Sequence, residues 1–246
     1  MQKNTLLFVI AAALGGFIGG FMLANSMNRS EMTSLRSQAT QPAANSTGQP
    51  SNSAATTLSP EEIQAKIDEA DQNADDFAFQ KSLGIGLYRY AAMSQDVKTL
   101  GEAERILIRA GRLNPRDFDV FVALGNAEFD IAFFNRDSAK FAAARATYQK
   151  ALEIKPGDLD VQTDLALTYF LPEPPDNEKA AGALEKVIAA DPKHSRSMGF
   201  LAQTYLRLGK IADAEKMLAK LKELDPKSEL IADIEKQITS ANALTQ

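Results

Sequence analysis

The 246-residue chain contains no cysteine and a single histidine, His194. Without cysteine there are no disulfides, no thiol nucleophile and no lipid attachment through sulfur. A lone imidazole cannot build the familiar His/Cys zinc sets. A Ser-His-Asp triad would need an unusual arrangement around His194, which follows Pro192 and reads as a solvated loop residue. A basic stripe is also missing. Net charge is −5, and residues 1–58 contribute +2 through Lys3, Arg29 and Arg36 against Glu31, which leaves −7 on the remainder. An acidic body of this kind argues against nucleic acid as a partner. The stretch "DQNADD" at 71–76 mimics half of a calcium loop. Asp76 stands where that loop needs glycine, however, and Ser82 where it needs glutamate, so a capped helix junction is expected. "GGFIGG" lies inside an apolar run and is no phosphate loop. No catalytic residue, metal ligand or cofactor site is expected, and the chain reads as a non-enzyme.

What the chain does have is a count. "DPKHS" begins at Asp191 and "DPKSE" at Asp225, 34 positions later. Related lead-ins precede Pro115, Pro156, Pro192 and Pro226, spaced by 41, 36 and 34. Upstream, apolar helix-like stretches align on Leu83, Leu124, Leu165 and Leu201, spaced by 41, 41 and 36. Both ends of the unit therefore keep nearly the same step, which is the mark of a repeat architecture. Leucine to proline is 25 residues in the last unit, 27 in the third and 32 in the first two. The extra seven residues fall near "MSQDVKTL" and "FFNRDSAK" and amount to about two helical turns. Longer hairpins can absorb them without rotating their apolar faces. In unit three "LPEPPDNE" has to be a turn, because three prolines cannot sit inside a helix.

The last unit reads L-A-x-x-Y from Leu201, then Gly209, Ala214, Leu218, Leu221 and Pro226. Unit two has Leu124-Gly125, Ala144, Tyr148, Ala151 and Pro156; unit one has Leu83-Gly84, Ala103, Leu107, Ala110 and Pro115. Unit three has Leu165, Tyr169, Ala180, Leu184 and Pro192, with Ala166 in place of glycine. The pattern resembles the tetratricopeptide repeat, a pair of antiparallel helices closed by proline. That resemblance implies an all-α, right-handed α-solenoid of about four hairpins with flanking helices. It also implies an inner groove, lined by the first helix of each unit, that takes peptides or partner helices. Counted from the aligned leucines, the groove residues are Ile85, Tyr88, Arg89, Asn126, Phe129, Leu167, Phe170, Gln203, Leu206 and Arg207, beside Lys81, Val122 and Thr163. The family's clamp for acidic chaperone tails is not expected: Lys81 and Asn126 fit it, but Ile85 and Leu167 do not. An apolar groove anchored by Tyr88, Phe129 and Phe170 and edged by Arg89 and Arg207 is expected instead.

The rest of the chain reads as appendages. Residues 1–5 form a basic head and 6–25 an apolar anchor, with Leu6–Leu23 free of charge and about 27 Å long as a helix. The rival reading of this stretch is a cleaved signal peptide. Gly15/Gly19 and Gly16/Gly20 have small-xxx-small spacing that would let two such helices self-associate. Residues 26–58, rich in Ser, Thr, Asn, Gln, Ala and Pro, read as a disordered tether with a reach of about 30 Å. Residues 59–74 form a flanking helix opened by a Ser59/Glu62 capping box, 75–228 carry the repeats, and 229–246 form a capping helix and tail with Ser228 as N-cap. The basic head suits a single-pass protein of a bacterial inner membrane with its repeats in the periplasm. A cytoplasmic repeat domain, or a cleaved and secreted one, is the alternative. The expected function is a membrane-tethered scaffold that binds proteins during assembly of a cell-envelope complex. The order of parts also bears a weaker resemblance to the repeat-bearing assembly factors of c-type cytochrome maturation, which would bind an apoprotein peptide.

Overall fold

A computed structural model describes residues 59–243. The anchor at 6–25, the tether at 26–58 and the four glycines at 15–20 lie outside the described residues. Within them the fold is all-helical, with ten helices and no strand. They are α1 (Pro60–Gln72), α2 (Phe77–Ser94), α3 (Val97–Leu113), α4 (Phe118–Phe134), α5 (Lys140–Ile154), α6 (Leu159–Phe170), α7 (Asn177–Ala190), α8 (Ser195–Arg207), α9 (Ile211–Leu224) and α10 (Leu230–Ala243). Four antiparallel hairpins, α2–α3, α4–α5, α6–α7 and α8–α9, follow one another, with α1 before them and α10 after.

The repeated proline text closes each hairpin by one mechanism. Helices α3, α5, α7 and α9 are capped at their C-terminal ends by Asn114, Lys155, Asp191 and Asp225, each the last residue before a proline, which disfavours the helical region at that position. The amide of Asp117, Asp158, His194 or Ser228 then donates to the carbonyl of that last residue at 3.0–3.3 Å. Asp117 and Asp158 go on to cap the following helix, accepting from the amides of Val120 and Val161 at 3.0 and 3.1 Å. Ser228 occupies the same slot, but α10 starts two residues later at Leu230, so the expected Ser228 N-cap is corrected by that offset.

Inside each hairpin the small residue of the second helix, Ala103, Ala144, Ala180 or Ala214, is fully buried. A Cβ on Gly84 would lie 2.8 Å from Leu107, and one on Gly125 would lie 2.7 Å from the Tyr148 ring, so these two positions need glycine for close approach. The seven extra residues of the first two units lengthen their helices, and only Gln95 and Asp96 separate α2 from α3. The prolines of unit three lie between α6 and α7, as their chemistry requires. Ser59 and Glu62 form the capping box that starts α1. Ile234 and Ile238 of α10 bury themselves against α8 and α9, while Glu235, Lys236, Thr239 and Ser240 face outward. Such polar-faced terminal helices keep a solenoid from stacking indefinitely.

Candidate binding groove

The first helices α2, α4, α6 and α8 carry every residue assigned to the groove. Helix α4 is the wall between two core clusters. Val120, Leu124 and Ile131 pack toward α2 and α3, while Phe121, Phe129 and Ala132 pack toward α5 and α6.

Several assigned residues are part of the packing. Phe129 is 1% exposed and meets Phe141 edge to face at 5.3 Å between ring centres. Phe170, also 1% exposed, meets Phe200 at 6.0 Å. Arg207 lies over the Phe170 ring at 3.7 Å and donates to the Phe170 carbonyl oxygen at 2.6 Å. Burial, partly offset by Glu173, brings its pKa down to about 10. Tyr88 and Leu167 are buried, Ile85 is half-buried against the first cluster, and Leu206 packs with α9 and α10. Gln203 donates to Asp233 of α10 at 3.1 Å, tying the terminal cap to the last repeat. Lys81 bridges Asp117 and Asp119 at 2.9 Å each, joining the first hairpin to the second. Arg89 and Val122 are partly exposed.

The structure adds a polar cluster to this face. Tyr148 donates to Asn126 Oδ1 at 2.7 Å, and Asn126 also bonds the Tyr88 hydroxyl. Burial and the nearby Asp130 and Asp164 carboxylates push both phenols well above their usual pKa. Asp130 is 4% exposed and its Oδ2 has no hydrogen-bond partner. Burial first, and Asp164 second, raise its pKa to about 8. Asp164 pairs with Arg196 at the start of α8. The sequence does hold a signal for Asp130: in "GNAEFDIAFF" three polar side chains interrupt an otherwise apolar helix. The repulsion it feels from Asp164, in the next repeat, has no local trace.

His194 is not a solvated loop residue, which corrects that expectation. It takes the slot held by Asp117 and Asp158 in the earlier units and caps α8. Its Nδ1 lies 3.4 Å from the Ser197 amide, which donates to it, and 2.9 Å from Ser197 Oγ. Its Nε2 lies 3.4 Å from Asp160. Ser197, His194 and Asp160 thus stand in series, but Ser197 is fully buried and no substrate carbonyl can reach its hydroxyl. The arrangement caps a helix. Asp76 likewise caps α2 by accepting from the Phe79 amide at 3.0 Å, as expected for the "DQNADD" junction. Among the described residues no group of His, Asp and Glu is arranged to hold a metal ion, and no helix is long and apolar enough to cross a membrane.

Consecutive antiparallel hairpins closed by the same proline turn define the class: a helical-repeat fold. Residues 176–238 match the tetratricopeptide repeat family model. The crystal structure of MamA resembles the chain with a TM-score of 0.54 at 22% identity, covering 68% of this chain and 88% of that one. MamA from Desulfovibrio magneticus RS-1, residue 41 to its end, gives 0.54 at 18%, covering 69% and 86%. TTC0263, a thermophilic tetratricopeptide-repeat protein of Thermus thermophilus, gives 0.52 at 18%, covering 74% and 97%. At these identities the likeness carries the fold alone. No curated protein matches the sequence.

Proposed function

We propose that the chain is a membrane-tethered scaffold of the cell envelope that receives an apolar peptide or partner helix in its inner groove. The feature that supports this reading is the repeat register, which puts Ile85, Val122, Leu167 and Leu206 on successive first helices with Arg89 and Arg207 beside them. Ile85, Val122, Arg89 and Arg207 are partly exposed, while Leu167 and Leu206 are buried beneath them. A face repeated along a solenoid suits an extended or helical ligand better than a compact small molecule. Tyr88, Phe129 and Phe170 shape the groove wall from within. The uncharged run Leu6–Leu23 supports an anchor, and the basic head before it supports repeats on the periplasmic side of an inner membrane. No feature of the groove singles out a cytochrome precursor, so the general scaffold stands.

Full-length chain in native membranes tests both parts. Tethering expects retention through a carbonate wash; release, or a mature chain beginning near Met27, contradicts it. Groove binding expects that Val122→Glu, which places a charge on the inner face, removes the proteins captured after detergent solubilisation while the helical spectrum is unchanged. An unaltered captured set contradicts it.

A further inference from the structure

Asp130 on α4 and Asp164 on α6 are both buried, at 4% and 5% exposure. Asp164 pairs with Arg196 at the start of α8, but Asp130 Oδ2 meets no hydrogen-bond donor. Asp130 lies one turn beyond Asn126 on the same stripe of α4. The groups around it are the Tyr88 hydroxyl from α2, with Arg89 beside that ring, the Tyr148 hydroxyl from α5, and Asp164 from α6. Glu104 of α3, with Lys140 and Lys150 of α5, acts on Glu128 instead. An ionised carboxylate held at Asp130 therefore has a buried oxygen without a donor and a second carboxylate nearby. That state is costly, and admitting water is the smallest change that relieves it.

The packing of the first helices leaves one place for that change. Among the described residues α2 packs closely on α4, and α6 on α8, but α4 and α6 are not closely packed. They are joined through α5, on which both pack. That side is firmly tied. Tyr148 of α5 donates to Asn126 of α4, and Arg145 of α5 donates to the Thr168 hydroxyl and carbonyl oxygens of α6 at 3.1 and 2.7 Å. The second and third units are thus fixed along α5 and can part along the inner edge, where the two aspartates stand.

We propose that this junction is a proton-operated hinge. With Asp130 neutral, α4 and α6 keep the spacing of the structure. When its proton leaves, the inner edge opens, water reaches the carboxylate, and the first two units turn relative to the last two. The hinge stands whatever the inner face binds, and it changes the shape of the face that a ligand would meet. Burial, and then Asp164, place the Asp130 pKa at about 8, so the hinge is closed in acid and opens as pH rises toward that value.

The absence of cysteine makes the test direct. In the full chain, Arg112→Cys on α3 and Lys220→Cys on α9, both exposed, carry two spin labels. Their separation is measured from about pH 5 to about pH 9. The expected result is one distance in acid that shifts in a single reversible step, centred at or below about pH 8. Asp130→Asn cannot ionise and is expected to keep the acid distance throughout. A distance unchanged across the range overturns the proposal, and so does a step that survives in Asp130→Asn. If Asp130→Asn loses the helical spectrum, Asp164→Asn replaces it. Removing the neighbouring charge is then expected to move the step to lower pH, and an unmoved step overturns the proposal.

Discussion

Tyr148 reaches from the second helix of its hairpin to Asn126 on the first, donating across 2.7 Å, and its ring rests directly on Gly125. One side chain thus sets both the spacing of α4 and α5 and the orientation of a polar group on the inner face. A Cβ at residue 125 would lie 2.7 Å from two ring carbons of Tyr148. Gly125→Ala should therefore overpack the hairpin and cost about 1–3 kcal/mol. Tyr148→Phe keeps the packing and should cost about 1 kcal/mol through the lost hydrogen bond. Urea denaturation checks both, and a Gly125→Ala midpoint equal to the parent's contradicts the close approach.

Asp130 predicts a pH dependence with a definite sign. Its carboxyl has a usual pKa of 3.8, raised to about 8 in the fold by burial and then by Asp164. Between these values the folded chain holds a proton that the unfolded chain has released. The contribution of this group is fully present below about pH 4 and is lost as pH rises through about 8. Asp130→Asn cannot ionise, so its stability should fall less steeply from about pH 4 to about pH 8. At about pH 8 it should exceed the parent by at most about 5 kcal/mol. Parallel stability curves for parent and variant would falsify the assignment.

His194 makes a simpler prediction. As the N-cap of α8 it satisfies the Ser197 amide. His194→Ala should cost about 1 kcal/mol, and His194→Asn, whose side-chain oxygen can accept the same bond, should recover most of it. Thermal melts distinguish the two. Equal loss in both variants means that the contact with Asp160, and not the cap, is what matters.

These residues also mark how far the sequence can be read. The hairpins are legible because proline and capping chemistry repeat in register: Asn114 to Asp117, Lys155 to Asp158 and Asp191 to His194 make the same turn. The long hairpins are legible because seven residues preserve the helical phase, and they extend α2–α5 instead of looping out. His194 is hard to place because a histidine after proline looks solvated until it is aligned with the aspartates in the equivalent slots. The groove is harder still. Position along a first helix says which way Phe129 or Phe170 points, but not whether a neighbour such as Phe141 or Phe200 has already covered it. Asp130 and Asp164 belong to separate repeats, so no local spacing announces that one carboxylate raises the pKa of the other.

If partners enter the inner groove of the membrane-tethered chain, photo-crosslinking residues placed one at a time should distinguish Val122, on first helix α4, from Leu113 and Leu224, both exposed on second helices α3 and α9. The full chain is irradiated in native membranes. Discrete crosslinked partners are expected from Val122 and none of the same species from Leu113 or Leu224. The same partners captured from Leu113 or Leu224, with Val122 silent, would contradict groove binding.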